Sequence, residues 1–440
     1  MAKFNIRSSL WWLILLIGAS LVTLWLVFVV SSNAYEENED VTTIYFADNI
    51  SEAHQTLIDA FNEAYKGRIQ VVPISLPFTK FSTNERKVLL ARSFRSKGDE
   101  IDVFAIDLIW GSRFARWADP LERYFPKPYL EQILSYSLQS CYIDGKLMAI
   151  PFYVDVGLMY YRKDLVARFP AALHLEERLH EGITWQEVLD LQRYPAAADK
   201  PLFLFAAKDF EGLICFFVEM VYGQGGSFYS QDSLNFDTPA GRRSLQLMVD
   251  LVNKYHYAPL DITEYDEVGV YFHAIQNDAL LFRGWPAYTR HHRDSLVAYG
   301  QENDIGMAPL PNFGETPGQG IIGGWNLMLS KYSRHKAEAI TFIRFLLRPE
   351  NQRRMFELGG YIPVSQTVYQ DSNFMGKHPD LSYLRELVAQ GAHRPYSEDY
   401  TRVSDILSYY LHLAIRKDLG VREALQKATR DINSGQVVFR

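Results

Sequence analysis

Two aspartates lie beside aromatic residues in otherwise apolar stretches of the chain. Asp107 ends an apolar run just before Trp110, and Asp155 lies just after Tyr153. Ionised carboxylates form strong hydrogen bonds with hydroxyl groups, and aromatic walls suit the apolar C–H faces of a sugar ring. Ligands of open α/β sheets bind at the carboxyl ends of strands, where a residue such as Asp107 is expected. These residue types therefore predict recognition of a hydroxyl-rich ligand.

The same residues have alternative interpretations. Asp107 can cap the helix that follows its strand, and Trp285 and Trp325 can be core residues. Asp107 and Asp155 can also be the acid/base pair of a glycoside-active enzyme, whose carboxyl groups stand roughly 5–9.5 Å apart across the scissile bond. No other catalytic pattern accompanies them, since HExxH, GxSxG and Walker A motifs are absent from the sequence.

Two further patterns favour structural interpretations. Gly318–Gly323 matches GxGxxG, but it leads into a predicted strand, so no helix N-terminus is available for a dinucleotide phosphate. We therefore expect no cofactor. His291–Asp294 contains metal-ligand types, but adjacent histidines on a helix point about 100° apart, which favours a solvated helix face over a metal site.

The order of predicted elements indicates an α/β fold. Strands at Thr43–Ala47, Ile69–Ser75 and Ile101–Ile106 alternate with helices at Glu52–Tyr65 and Asn84–Arg95. This order predicts a parallel sheet covered by helices. The later predicted elements are strands at Leu202–Ala206, Ala279–Phe282 and Trp325–Leu329, and helices that begin after Thr184 and Thr238 or span Glu211–Tyr222, Lys336–Leu347, Glu350–Leu358, Leu381–Ala389, Tyr400–Ile415 and Arg422–Ile432.

The N-terminus predicts a membrane anchor. Lys3 and Arg7 precede the uncharged stretch Leu10–Val30, which has the ~20 residues that a bilayer span needs, and acidic residues follow it. This charge asymmetry predicts a cytoplasmic N-terminus and an extracytoplasmic body. A small-residue site that ends at Ala34 leaves a cleaved signal peptide as the alternative. The formal charge of −7 argues against a nucleic-acid partner.

Several longer motifs carry a resemblance to a known family. They are the DxxW element Asp107–Trp110, the stretch Asp144–Leu165 (DGKLMAIPFYVDVGLMYYRKDL), the Gly-rich loop Gly223–Phe228, the Gly-Gly-Trp at Gly323–Trp325, and the helical pattern of Lys336–Leu358. From about Val41 to Asp431 the chain resembles the family 1 extracellular solute-binding proteins, close to the maltose/trehalose-binding branch of ABC transport systems. The anchor is a departure, because the family usually has a cleaved signal.

The resemblance implies a two-lobed, periplasmic-binding-protein-like (type II) α/β fold whose lobes close on a ligand about a hinge. Lobe 1 would comprise residues 42–150 and 302–372, and lobe 2 residues 151–301 and 373–440. A signal or anchor at 1–34 and a tether at 35–41 would precede them. The implied function is the sugar-binding component of an ABC importer, a monomer that presents an oligosaccharide to the permease subunits. A membrane-tethered sugar sensor is the alternative.

The resemblance also implies ligand contacts that combine hydrogen-bonding groups with aromatic walls. Carboxylates would accept hydrogen bonds from sugar hydroxyls, an arginine would donate one, and aromatic rings would lie against the sugar. The Gly323–Gly324 backbone would let the following tryptophan approach. The implied contacts are Glu52, Asp107, Tyr153, Asp155, Trp285, Gly324, Trp325 and Arg394. Whether Cys141 and Cys215 form a disulfide stays open.

Overall fold

The computed structural model of the 440-residue chain describes residues 41–77, 80–81, 83–96, 100–230, 233–314, 317–395 and 399–435. The predicted anchor Leu10–Val30, the alternative cleavage at Ala34 and residues 35–40 of the tether lie outside the described residues. Within the described ranges, no helix combines the length and the apolar character that a membrane crossing requires.

The strands of the described residues form two sheets and two short hairpins. The first sheet has the order β2-β1-β3-β13-β6, the second has the order β12-β7-β11-β8, and the hairpins are β4-β5 and β9-β10. The strands are β1 Thr42–Asp48, β2 Ile69–Ser75, β3 Val103–Asp107, β4 Tyr142–Ile143, β5 Lys146–Leu147, β6 Ile150–Val156, β7 Leu158–Arg162, β8 Phe203–Leu204, β9 Tyr229–Ser230, β10 Ser233–Leu234, β11 Leu281–Gly284, β12 Ile305–Ala308 and β13 Ile322–Leu329.

The first sheet corrects the prediction of a purely parallel sheet. Strands β2, β1 and β3 are parallel, as the β-α-β-α-β order predicts. Strand β13 is antiparallel to both β3 and β6. It joins the sheet only after the chain has passed through the second sheet, so no β-α-β crossover determines its direction. The first sheet is therefore mixed.

Helices cover both sheets. The helix Glu52–Ala64 is capped by the Ser51 side chain and packs Leu57, Ile58 and Phe61 into the core. The α-helices are Glu52–Ala64, Thr83–Arg95, Gly111–Phe114, Lys127–Leu130, Ser135–Leu138, Lys163–Val166, Leu175–Glu181, Trp185–Asp190, Glu211–Tyr222, Pro239–Asn253, Glu267–Gln276, Tyr288–His291, Arg293–Ala298, Lys336–Leu346, Pro349–Gly359, Gln366–Gln370, Ser372–Lys377, Pro379–Gln390, Tyr400–Ile415 and Val421–Asn433.

The chain crosses between the two lobes in segments that lie side by side. The Gly157 amide donates to the Ile321 carbonyl at 3.0 Å, and the Ile322 amide donates to the Ala392 carbonyl at 2.8 Å. Gly320 packs so closely on Gly157 that a Cβ at Gly320 would collide with the Gly157 carbonyl oxygen. These hydrogen bonds bring three distant parts of the sequence together at the junction of the lobes.

Sheet membership corrects two of the predicted lobe boundaries. Strand β6 was expected in lobe 2 from residue 151, but it pairs with β13 in the first sheet. Strand β12 was expected in lobe 1 after residue 302, but it pairs with β7 in the second sheet. The chain therefore crosses between the lobes after β6 and after β12. Backbone pairing determines the sheet to which a strand belongs, and a continuous apolar run in the sequence does not reveal that pairing.

Candidate ligand-binding cleft

A cleft of about 930 Å³, including its mouth, lies between the two lobes. Its walls come from the end of β3, from β6 and β13, from the first residues of the helices Glu211–Tyr222 and Glu267–Gln276, and from the segment after β11. Of the residues implied by the family resemblance, the walls include Asp107, Tyr153, Asp155, Trp285, Gly324, Trp325 and Arg394.

Asp107 is held by two donors at the end of β3. Its Oδ1 accepts from the Ile109 amide at 3.1 Å, so the capping interpretation is confirmed. The same oxygen accepts from Arg394 Nη2 at 2.9 Å. The Arg394 side chain is only 2% exposed, and its Nη1 donates to Glu211 Oε1 at 2.9 Å. One buried guanidinium therefore joins a carboxylate of the first lobe to a carboxylate of the second.

Glu211 anchors this network in the second lobe. Tyr400 donates its hydroxyl to Glu211 Oε1 at 2.8 Å, and Ser404 donates to Oε2. Arg394 Nε is buried and has no hydrogen-bond partner among the described residues. Arg394 also lines the cleft, and a guanidinium has five N–H donors, so donors remain beyond those bound to Asp107 and Glu211.

Asp155 has a different environment on β6. Its Oδ1 accepts from the Val156 amide at 3.1 Å, and it forms no ion pair within the described part of the chain. Its enclosed position removes water from the carboxyl group and raises the pKa of Asp155 to about 8, an effect that Arg283 and the Val156 amide oppose and Glu267 reinforces. Asp155 therefore has unused hydrogen-bonding capacity in the cleft.

Trp285 is fixed by charged neighbours. Its Nε1 donates to Glu267 Oε1 at 3.1 Å, and the Arg283 guanidinium lies 4.0 Å from the ring centroid. Arg283 in turn pairs with the buried Glu219 at 2.8 Å. Burial raises the pKa of Glu267 to about 6. Because Arg283 covers one face of the Trp285 ring, only the other face is available to a ligand.

Trp325 belongs both to the core and to the cleft wall. It is 8% exposed and meets Trp110 edge-on, with ring centroids 5.5 Å apart. The guanidinium of Arg86 lies 4.1 Å from its ring centroid. Arg86 is itself buried, which lowers its pKa, and it pairs with Asp48 at 3.1 Å. The core interpretation of Trp325 is therefore confirmed, although the ring also borders the cleft.

Close packing explains why both residues before Trp325 are glycines. Gly324 adopts a φ of 133°, and a Cβ there would lie 2.5 Å from the Tyr153 carbonyl oxygen. A Cβ on Gly323 would lie 2.9 Å from the Trp285 ring. Residues with side chains would therefore strain the backbone or displace Trp285. The register of β13 against β6 also shifts between Trp325 and Asn326.

A cluster of tyrosine and histidine rings forms another part of the wall. The rings of Tyr153 and Tyr361 are 4.5 Å apart, and those of His291 and Tyr361 are 4.9 Å apart. The prediction that His291 and His292 lie on a solvated helix face is wrong: both are partly buried, and His291 lines the cleft. Burial lowers the pKa of His291 to about 3, so its imidazole is neutral.

The structure does not bring Glu52 to the cleft. Glu52 is the first residue of its helix and is exposed, whereas the nearby Asn49 is part of the cleft wall. A helix start can point a carboxylate to solvent as readily as to a ligand, because position N1 makes no demand on side-chain direction. Cys141 and Cys215 are both buried as free thiols, so they do not pair.

Several wall residues were missed by the sequence analysis. They include Glu211, Glu267, Tyr361 and His291. The acidic residues Glu211 and Glu219 in the buried helix EGLICFFVEMVY were an available signal, since a buried carboxylate requires a partner or a function. No comparable pattern marks Glu267 or Tyr361, and the adjacent histidines His291 and His292 favoured a solvated helix face. The described residues contain no cluster of three or more His, Cys, Asp or Glu side chains that could hold a metal ion.

Contacts link the two lobes on two sides of the cleft. On one side, Arg290 donates to Asp380 at 2.6 Å and to the Phe356 carbonyl. On the other side, Asp405 accepts from Asn84 at 3.1 Å and pairs with Lys87 at 3.6 Å. The helices of Arg290 and Phe356 belong to different lobes, as do those of Lys87 and Asp405, so these contacts link the lobes on either side of the cleft.

Comparisons with known proteins agree with this architecture. Residues 47–353 match the family of bacterial extracellular solute-binding proteins. A probable ABC transporter-binding protein of Deinococcus radiodurans is 23% identical over 423 residues, which cover 93% of this chain and 96% of that protein. The structure of maltose-bound T. maritima MalE3 superposes with a TM-score of 0.80 at 26% identity and covers 90% of this chain and 100% of that chain.

A tagatose-bound solute-binding protein of Thermotoga lettingae has the same fold, with a TM-score of 0.76 at 19% identity over 90% of this chain and 99% of that chain. The two lobes, the hydrogen-bonded crossings and the enclosed cleft agree with the family match, which extends over most of the sequence. The chain belongs to the bacterial extracellular solute-binding proteins.

Proposed function

We propose that the chain is the sugar-binding component of an ABC import system, which captures an oligosaccharide in the cleft and presents it to the permease. One observation carries this proposal: carboxyl groups and tryptophan rings line the same enclosed space between two lobes. Such a mixture fits a ligand with hydroxyl edges and apolar C–H faces. The likeness to maltose-bound MalE3 and to the Deinococcus protein supports the ligand class and the transporter context.

The proposed contacts divide by chemistry. Asp155 accepts hydrogen bonds from sugar hydroxyls, and Asp107 accepts through the oxygen that Arg394 does not occupy. Arg394 donates through an N–H that Asp107 and Glu211 do not use. Trp285 and Trp325 provide ring surface in the cleft wall, beside the guanidinium groups of Arg283 and Arg86. Tyr153 and the Gly324 backbone complete this proposed set.

The test of the ligand class is a thermal-shift screen of the purified chain against mono-, di- and oligosaccharides. A ligand present at 100 times its dissociation constant stabilises the folded state by about 2.7 kcal/mol, which gives a measurable rise in melting temperature. Amino acids and short peptides serve as negative controls of similar size. A response to peptides and not to sugars would contradict the proposal.

We further propose that binding involves no chemistry on the ligand. Asp107 is engaged by Arg394 and by a backbone amide, which makes it a poor partner for Asp155 in acid/base catalysis. Prolonged incubation of the chain with any sugar that binds, followed by chromatography, is expected to return that sugar unchanged. Release of shorter sugars, lost on Asp155→Asn, would support the glycoside-active alternative instead.

Uncleaved attachment through Leu10–Val30 is proposed for the location, with the body on the outer side of the membrane. Sequencing the N-terminus of protein extracted from membranes tests it, and a soluble mature protein that begins at Tyr35 would contradict it. An uncleaved anchor also keeps the sugar-sensor alternative open. Deletion of the protein should abolish uptake of its sugar if it serves transport, and should leave uptake intact if it only senses.

A further inference from the structure

The carboxyl groups of the cleft differ in how their charges are compensated. Asp107 and Glu211 share the buried Arg394, with N–O distances of 2.9 Å to each. Asp155 has no cation within ion-pair distance in the described residues, and it accepts only from the Val156 amide. Asp107 and Glu211 therefore share a buried cation, whereas Asp155 has none within ion-pair distance among the described residues.

The cation that acts on Asp155 is Arg283, which already pairs with two other carboxylates, although its Nη1 has no hydrogen-bond partner among the described residues. Arg283 bonds the buried Glu219 through two nitrogens, at 2.8 and 3.2 Å, and lies 3.7 Å from Glu267. Asp266, which caps the helix that begins at Glu267, adds a further carboxylate to the same wall. The acidic groups around Asp155 therefore outnumber the positive charges that touch them.

His291 is a second cleft residue with unused hydrogen-bonding capacity. It lines the cleft, and its Nε2 is buried without a hydrogen-bond partner among the described residues. Burial of a polar atom without a hydrogen-bond partner costs free energy, and a ligand that supplies the partner removes this cost. A neutral imidazole can accept a hydrogen bond from a nitrogen or oxygen donor.

We propose, on the basis of the sugar-binding function above, that the cleft selects a sugar or polyol that carries a basic nitrogen among its hydroxyls. The ligand ammonium group would pair with Asp155 and Glu267, and its hydroxyls would bind at the Asp107–Arg394 end. An ammonium group is charged and has only hydrogen-bond donors, so its hydrogen bonds to carboxylates are stronger than those that a hydroxyl group donates. A sugar carboxylate or phosphate beside Asp155 and Glu267 would instead meet like charges in a site with little water.

Binding of such a ligand is expected to release a proton. The titratable groups that face Asp155 from the surrounding elements are Arg283, Glu267, Tyr153, Tyr160, Tyr288 and Tyr361. Of these, only Arg283 carries a positive charge, and Glu219 holds it. A ligand cation would favour ionised Asp155, so the proton held there in the empty cleft at neutral pH leaves on binding.

The experiment compares maltose with its set of single-position amino-deoxy derivatives at pH 7, by calorimetry in two buffers of different ionisation enthalpy. At least one derivative is expected to bind about tenfold or more tightly than maltose, because a close charge pair in an enclosed site strengthens binding. That derivative is expected to release close to one proton. In Asp155→Asn both the gain in affinity and the proton release should disappear.

The matched control is Asp107→Asn, which removes the compensated carboxylate. It is expected to weaken maltose and the derivative alike, so that the ratio of their affinities is unchanged. Binding of a derivative in the absence of maltose binding also supports the inference. If maltose binds and no derivative binds more tightly, the inference is overturned and the sugar-binding function stands. If maltose, its derivatives and every sugar of the thermal-shift screen fail to bind, both proposals fail.

Discussion

Replacing Trp325 by alanine tests whether one ring serves both the core and the ligand wall. The ring is 8% exposed and packs against Trp110 and Arg86, so its loss should lower the free energy of unfolding by about 3–5 kcal/mol. Because it also borders the cleft, sugar affinity should fall by about 2 kcal/mol, which is roughly thirtyfold. Urea denaturation and calorimetry measure the two effects separately.

Two other tryptophans provide the controls. Trp110 is 1% exposed and is not part of the cleft wall, so Trp110→Ala should lose stability with little change in affinity. Trp285 is only partly buried, so Trp285→Ala should lose mainly affinity. A Trp325→Ala protein that binds sugar normally would refute the wall assignment, and one of unchanged stability would refute the packing argument. Trp325→Phe retains part of the ring if the alanine variant does not fold.

Other outcomes follow from the same contacts. Because the pKa of Asp155 is raised, the folded state holds a proton that the unfolded chain releases, so the free energy of unfolding should fall as the pH rises from about 4 to 8. Urea denaturation at a series of pH values should show a weaker pH dependence of this free energy in Asp155→Asn. Gly324→Ala should cost more than about 1 kcal/mol in unfolding free energy, because of its positive φ and the Tyr153 carbonyl; an unchanged melting temperature would contradict this. Asp107→Asn should lower both sugar affinity and melting temperature, since it leaves Arg394 with one carboxylate; calorimetry and thermal melts measure these, and a melting temperature equal to wild type would argue against a structural ion pair. A sugar that binds should reduce the radius of gyration in solution scattering, whereas no change with a proven ligand would argue against hinge closure.

Local sequence signals predicted the parallel strands and most of the helices of ten or more residues in the described part of the chain. The helices Glu211–Tyr222 and Tyr400–Ile415 and the strand Ile69–Ser75 have the predicted bounds. The bounds of short buried strands were predicted less accurately: the strand predicted at Ala279–Phe282 is Leu281–Gly284. A continuous apolar run specifies burial but not the residue at which pairing begins, because pairing depends on a neighbour that is distant in sequence.

Cleft residues that belong to family motifs could be predicted from the sequence. Cleft residues that come together only in the folded chain could not. Asp107 and Trp325 belong to motifs and lie on adjacent strands, where the two residues pair directly. Tyr361 and His291 meet through segments that no motif connects. Glu52 had the chemistry of a contact but is exposed, because the start of a helix does not determine the direction of its side chain.

Asp107 and Asp155 have the same side chain and opposite electrostatic environments. Asp107 comes from a strand end beside the crossing that carries Arg394, so the fold supplies its counter-charge. Asp155 lies on β6, where the nearest guanidinium, Arg283, is held by Glu219. Desolvation without a counter-charge disfavours ionisation, which is why burial shifts the pKa of Asp155 so far. Ligand selectivity in this cleft should therefore depend less on the number of carboxyl groups than on which of them the protein leaves for the ligand to neutralise.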